Sequence, residues 1–521
     1  MMEHFHSTPR MALVCLAALI VWLSFQSDAL APLAFLALVP WFMALRGTQG
    51  WRGLTLGLTF GGLIWLLLTW WVKVGAQQWL LLADPGAWLV ALLFSLYHAL
   101  PYALFGLYQG LSRNRGRWTP LAHALALTAL VYLFPNLFPG SLANALFTHP
   151  LLIQTADLGG VPLVFFLLVL VNALVEQAIY LHRAGRPILP ETLALTALFT
   201  GLLTYGWLRL EAFTPAATDG HGAPSLTLTA IQPNLPVTLD YLSPRGTEAL
   251  TAAADLIRAA VARHPETELL VWPEVPPSLS CACEAGKGQG DFVRRLGKAL
   301  LFACVEEGDA QNRHHNAALL VQGDGHCGPK YRKRKLLPFA EYLPLEERLP
   351  WLRDWFPGVQ HYQPGDAGVV LTIGEGAKVI PSLCYEGLFP ETVRQGLAQG
   401  GQLLVSMADD AWFGDPAAGR LHLALLLFRA VEYRIPLVRV TNTGSGAFIH
   451  PSGAISAGTL TPPGQAMITS ATVRWRPGLS FYAVQGDVFL TLVGCGFLGL
   501  LAGQGIRALA GGRSPLDPGD A

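Results

Sequence analysis

Apolar stretches of about bilayer length, roughly 20 residues each, recur through the first 210 positions of this chain. They lie near 11–26, 28–45, 54–72, 86–110, 119–138, 158–181 and 190–208, and another lies near 486–508. One soluble core has no room for that much apolar surface, so the pattern predicts a polytopic α-helical membrane domain of about eight spans. Composition agrees: 52% of the residues are hydrophobic and only 13% charged, against roughly 25% charged in soluble domains. The first stretch begins after Arg10 with no convincing small-residue cleavage site behind it, and reads as an uncleaved anchor.

Loop charges give the orientation. Arg10, Arg46, Arg52, Arg113, Arg115, Arg117, Arg183, Arg186, Arg507 and Arg513 fall on one side of an eight-span arrangement. The short opposite loops offer little beyond Lys73, with Arg209 at the exit of the seventh stretch. Lys and Arg are retained on the cytoplasmic side, so both termini are expected there. An odd number of spans before residue 210 then sends 211–485 to the far side, the periplasm of a bacterium with two membranes. The expected domains are 1–210 (membrane), 211–485 (outer) and 486–521 (a last span and a cytoplasmic tail).

The 211–485 segment changes character. Ser225 to Gln232 alternates with period two, as a half-buried strand does. Glu248 to Ala262 reads as a helix, Arg420 to Arg434 as an amphipathic one. Strands are expected at 268–272, 317–322, 379–383, 403–407 and 437–441, and Ala447 to His450 leads into a Pro451-Ser452-Gly453 turn. Alternating strands and helices predict an α/β layered domain. The seven cysteines are odd in number and irregularly spaced, so no disulfide framework is expected. Cys281-Ala282-Cys283 is too tight for zinc spacing, and neither metal nor cofactor is expected. Zero net charge argues against a nucleic-acid partner.

Three strand ends deliver ionisable residues. Glu274 follows Leu270-Val271-Trp272-Pro273, Lys333 lies in Tyr331-Arg332-Lys333-Arg334-Lys335, and Cys384 ends Val379-Ile380-Pro381-Ser382-Leu383. A thiol is mostly protonated at neutral pH and needs a base. A carboxylate can take the proton and return it to a leaving group, while an ammonium can lower the thiol pKa and stabilise an oxyanion. Glu, Lys and Cys together make a complete acyl-transfer set. Each also has a bland alternative: a buried structural thiol, a surface carboxylate, a solvated basic cluster. Order and spacing favour chemistry. The eight residues from Lys333 to Glu341 select Lys333 over Lys335.

Trp272-Pro273-Glu274, Lys333 with Leu337-Pro338-Phe339 and Glu341 behind it, and Cys384-Tyr385-Glu386 resemble the Glu-Lys-Cys triad of the nitrilase superfamily. Gln232-Pro233-Asn234, Asp410-Ala411-Trp412-Phe413-Gly414, His422, Arg429-Ala430-Val431-Glu432 and Thr441-Asn442-Thr443-Gly444 match in order. With spans in front and behind, the whole chain resembles the membrane-embedded N-acyltransferases of that superfamily. The resemblance implies a four-layer α-β-β-α sandwich and a reaction in two halves through a Cys384 thioester. A phospholipid would be the acyl donor and a diacylglyceryl-modified apolipoprotein the acceptor, in contact with membrane lipids. Glu341, Tyr385 and Glu386 would support the site. Tyr241, Trp412 and Phe413 are the candidates for lipid contact. Two other functions stay open: a membrane-tethered amidohydrolase using water as second nucleophile, and a non-catalytic transporter or scaffold. Trp70, Trp71 and Trp118 read as interfacial belt residues.

Overall fold

The computed structural model describes residues 7–511 except 113–115, 214–223, 238–242, 276–278, 284–288, 309–312, 367, 375 and 477. Tyr241 lies outside the described residues.

The N-terminal region is helical. Ser7–Ser24, Trp51–Thr69, Asp84–Leu111, Thr119–Leu133, Ala156–Arg183 and Leu189–Ala212 form a bundle, joined by Val488–Gly511 from the far end of the chain. Trp51–Thr69 and Asp84–Leu111 touch backbone to backbone. A Cβ on Gly53 would come within 2.1 Å of the Gly106 carbonyl, and one on Gly57 within 2.1 Å of that of Tyr102. Small residues permit this approach where lipid offers helices no hydrophobic drive to associate.

One expected span is not a single helix. Residues 28–45 divide into a 3-10 helix, Asp28–Phe35, and a short α-helix, Val39–Leu45, with Pro32 inside the first and Pro40 opening the second. Proline removes backbone donors and forbids a continuous helix. Asn172 on Ala156–Arg183 satisfies the break: its side chain accepts from Leu38 N–H at 2.8 Å and donates to the Ala34 carbonyl at 3.0 Å. Such repair by a neighbour is the condition for irregular backbone at membrane depth. A short helix that hydropathy does not announce, Val72–Trp79, links the bundle's glycine-packed pair.

The outer region is a two-sheet sandwich. Twelve described strands run β1 (Ser225–Gln232), β2 (Leu269–Trp272), β3 (Leu279–Ser280), β4 (Ala299–Glu306), β5 (His315–Val321), β6 (Cys327–Arg332), β7 (Leu371–Ile373), β8 (Ala377–Leu383), β9 (Leu403–Ala408), β10 (Leu437–Thr441), β11 (Ala447–Ile449) and β12 (Met467–Arg474). One sheet has the order β12-β1-β2-β4-β5-β6 with β3 beside β4, and the other β11-β10-β9-β8-β7. Period-two alternation builds the layers. Leu228, Leu301, Val379, Val405 and Val440 meet between the sheets. Ile231, Leu270 and Phe302 face Pro244–Arg263 and Gln289–Leu296 on one outside. Ile380, Leu404 and Leu437 face Pro416–Tyr433 on the other. The four-layer α-β-β-α arrangement expected above is thus present.

Pro416–Tyr433 corrects the amphipathic reading of 420–434. It is buried on almost every side from Ala418 onward, because the sheet covers one face and the helical bundle the other, in one continuous core with Phe165, Leu168 and Val169. The cysteine reading is corrected too. Cys281 pairs with Cys304 and Cys283 with Cys327. Strand pairing brings them together, with Leu279 opposite Cys304 across β3 and β4.

Candidate active site

Three strand ends converge beneath the bundle. Pro273 follows β2 and cannot donate to a ladder, so the chain leaves the sheet and turns out Glu274. The Lys333 N–H, just beyond β6, donates to the Asn316 carbonyl at 2.8 Å. Cys384 ends β8 with φ +50°. That left-handed conformation is costly for a side chain bearing Cβ and is typical of strained functional turns; here it lifts the thiol off the sheet.

Asn316 on β5 is the hub. Its side-chain amide donates to Glu274 Oε1 at 2.8 Å and to Glu341 Oε1 at 2.9 Å. Lys333 Nζ donates to the same Glu341 oxygen at 2.8 Å, and Leu337 N–H to Glu341 Oε2 at 2.7 Å. Glu274 Oε2 is enclosed and has no hydrogen-bond partner among the described residues. Burial raises the Glu274 pKa; the Lys333 charge opposes this and Glu341 adds to it. Burial alone would depress Lys333, but Glu341, Glu274 and Cys384 outweigh it and hold the ammonium above its ordinary value. Cys384 is pushed up, first by burial and then by Glu274, and Lys333 only partly offsets this. Lys333 thus lowers the thiol pKa as expected, but burial and Glu274 outweigh it, and a nearby carboxylate has an unpaired oxygen.

Glu386 and Tyr385 hold the elbow. Glu386 accepts from the Tyr331 hydroxyl at 2.5 Å and from the backbone N–H groups of Arg334 (2.9 Å), Lys335 (3.3 Å) and Leu383 (3.4 Å). It ties the Lys333 loop to the Cys384 turn. The Tyr385 hydroxyl donates to the Leu137 carbonyl at 2.5 Å, anchoring the turn to the bundle. His422 Nδ1 lies 3.2 Å from Asp410 Oδ1, and the other Asp410 oxygen accepts from Thr441 at 3.1 Å and pairs with Arg439. Arg429, seven residues on, points away and pairs with Glu432 at 3.0 Å.

Cys384 lines two spaces. On one side is a polar pocket of about 740 Å³ with Glu274, Lys333, Glu341 and Asp409. On the other is an apolar cleft of about 930 Å³ running into the bundle along Trp71, Val90, Phe94 and Phe138. Phe413 walls the cleft, its ring 4.6 Å from Trp71 and 5.6 Å from Trp79, and Trp412 lines the polar pocket. Trp71 is buried in that wall, only 3% exposed, which corrects its reading as a belt residue; Trp118 is 63% exposed. Sequence reasoning missed Asn316 and the bundle's share of the cleft. Neither carries a local signal.

The sandwich, with a cysteine, a lysine and carboxylates at its strand ends and a helical bundle docked on it, defines a membrane-embedded enzyme of the carbon–nitrogen hydrolase class. A family profile described as carbon-nitrogen hydrolase matches residues 227–481, and one described as apolipoprotein N-acyltransferase N-terminal domain matches 17–174. The chain is 29% identical over 508 residues to the apolipoprotein N-acyltransferase of Geobacter metallireducens, covering 94% of each. It is 32% identical over 444 residues to that of Azotobacter vinelandii, covering 82% of each. Among solved structures, Nit3 of Saccharomyces cerevisiae aligns over 51% of this chain and 94% of that one at 18% identity, with a TM-score of 0.38. The chain belongs to the apolipoprotein N-acyltransferase family.

Proposed function

We propose that this chain N-acylates lipoproteins at the membrane by carrying a fatty acyl group on Cys384 from a phospholipid to an acceptor amine. The observation that supports this is the position of Cys384 between a charged pocket and an apolar cleft that enters the bundle. An amidase for small soluble substrates has no use for such a cleft.

In the first half-reaction Glu274 takes the thiol proton and Sγ attacks the ester carbonyl of the phospholipid. Lys333 stabilises the oxyanion. The carbon–oxygen bond to glycerol breaks, Glu274 returns the proton to the departing oxygen, and a thioester and a lysophospholipid result. In the second, the free α-amino group of a diacylglyceryl-cysteine at a lipoprotein's N-terminus attacks the thioester. Glu274 removes the amine proton, the carbon–sulfur bond breaks, the amide forms, and the proton returns to Sγ. Glu341 holds Lys333 in place; Glu386 and Tyr385 hold the turn.

We further propose that the sandwich, within 211–485, faces the periplasm across a bacterial inner membrane, with 1–210 and 486–521 as the membrane portion. Two observations support this. Both disulfides lie in the sandwich, and disulfides persist in oxidising compartments. Arg10 and Arg46 meet at the opposite end of the bundle, where Arg10 donates to the Arg46 carbonyl and Arg46 pairs with Glu176.

The test is direct. Purified protein given phospholipid with an isotopically labelled acyl chain should gain a hydroxylamine-sensitive mass adduct that is absent in Cys384→Ala. No adduct from any phospholipid, together with hydrolysis of a small amide, would replace this reading with the amidohydrolase one.

A further inference from the structure

Phe94, in the wall of the apolar cleft beside Cys384, packs into a cluster of three rings. The His98 ring touches both Phe94 and Trp65, with centroids 4.2 Å and 4.4 Å away, and Trp65 meets Phe94 edge-on at 6.2 Å. Such contacts are favourable beyond the area they bury.

Hydrogen bonds fix the middle ring. His98 Nε2 accepts from Phe138 N–H at 3.1 Å, so its Nδ1–H is the donor to the Phe94 carbonyl at 2.9 Å. One imidazole therefore cements both the helix that carries Phe94 and the loop that carries Phe138, the cleft's other inner wall. The supporting helices cannot part easily, because Trp51–Thr69 and Asp84–Leu111 are packed glycine to backbone at Gly53, Gly57 and Gly61, on one side of the rings.

Beyond these rings lies a second, smaller apolar space, lined by Ile64, Trp65, Leu68, Tyr102, Gly140 and Phe165. Helical rise puts Tyr102 about 12 Å deeper than Phe94. Trp65 faces this cavity from the stack, and Gly140 presses on it: a Cβ there would stand 3.3 Å from the indole and 3.8 Å from the Phe138 ring. Two apolar spaces thus meet at one aromatic partition, with Phe94 lining the first and Trp65 the second.

We propose that the Trp65–His98–Phe94 partition is the floor that measures the acyl chain loaded on Cys384, and that the cavity behind it is the space a longer chain would enter if the floor were opened. This rests on the transfer reading above. A chain that ends at the floor fills the cleft. A longer one must displace close-packed rings or leave methylenes outside, and a hydrophobic pocket discriminates about 10-fold or more per methylene on such grounds.

The full-length protein would be incubated with an equimolar series of phosphatidylethanolamines differing by two methylenes in the acyl chains, and the acyl-enzyme resolved by intact mass. Wild type should show a sharp upper limit of length. Trp65→Val should move that limit upward, raising the ratio of longer to shorter acyl-enzyme by about 10-fold or more. Phe94→Ala, which removes another ring of the same partition, should shift it the same way and decides the matter should the first variant not fold. Acyl-enzyme formed by both variants with the wild-type length distribution would overturn the floor while leaving transfer intact. No acyl-enzyme from any chain in wild type would overturn the transfer reading itself.

Discussion

Asp157, where the bundle meets the sandwich, and Glu274, at the candidate site, are both carboxylates enclosed beside cations, and they are treated differently. Asp157 Oδ1 accepts from the Tyr205 hydroxyl at 2.7 Å, while Oδ2 takes Arg209 Nε at 2.7 Å and Arg434 Nη2 at 2.6 Å. Arg434 in turn donates to Gln154 Oε1 and the Pro451 carbonyl. Glu274 has one oxygen on Asn316 and the other without a partner among the described residues. An enclosed oxygen left unpaired costs about 1–3 kcal/mol, and folding alone gives no reason to keep it. The junction spends its charges on holding two regions together; the site leaves one carboxylate oxygen unpaired, as the proposed base role of Glu274 requires.

That contrast breaks most visibly at the nucleophile. Cys384→Ala should abolish acyl-enzyme entirely with the thermal midpoint unchanged; a surviving hydroxylamine-sensitive adduct would move the thioester elsewhere. Glu274→Gln should come next. The amide keeps the shape and the contact with Asn316 but cannot accept a proton, so single-turnover acylation should fall about 10²–10⁴-fold without loss of stability. An unchanged rate would take the base role from Glu274. Asp157→Asn should do the opposite. It strands two arginines, one of them deeply buried, and should cost about 3–5 kcal/mol, seen as a lowered thermal midpoint, while the folded fraction acylates at the wild-type rate. Were Asp157→Asn to slow chemistry and Glu274→Gln to unfold the protein, the contrast would be inverted.

How far sequence reaches follows the same line. Glu274 and Cys384 were legible because each follows a local apolar run, and Lys333 because of its eight-residue spacing to Glu341; the sheets carry the three strand ends to one edge. Asn316 was not. Its value comes from the pairing of β5 with β6, which sets Ala317 opposite Arg332 and so brings Asn316 beside Lys333; nothing within a few residues of it says so. Cys281 and Cys283 looked unpaired for the same reason, since their partners are chosen by strand neighbours rather than by spacing. Hydropathy located apolar depth but not facing, so Trp71 passed for a belt residue and the Pro416–Tyr433 helix for a half-exposed one. Pro32 and Pro40 were visible, whereas Asn172, which makes their break tolerable, is more than 130 positions away.

The finest expected effect concerns pH. Glu274 accepts a proton only when ionised, and burial raises its pKa, with Glu341 adding to the rise. Acylation should therefore decline as pH falls through a value above the ordinary carboxylate range of about 4.3. Glu341→Gln removes one like charge and leaves Lys333 to pair more closely with Glu274. Both changes favour the ionised base, so the acid limb of the residual activity should move down by about one pH unit. Its plateau should fall as well, because Lys333 loses its anchor at 2.8 Å. The measurement is single-turnover acyl-enzyme formation against pH for both proteins. A limb that stays in place while the plateau falls would mean that Glu341 acts only by holding Lys333, and that Glu274 owes its high pKa to burial alone.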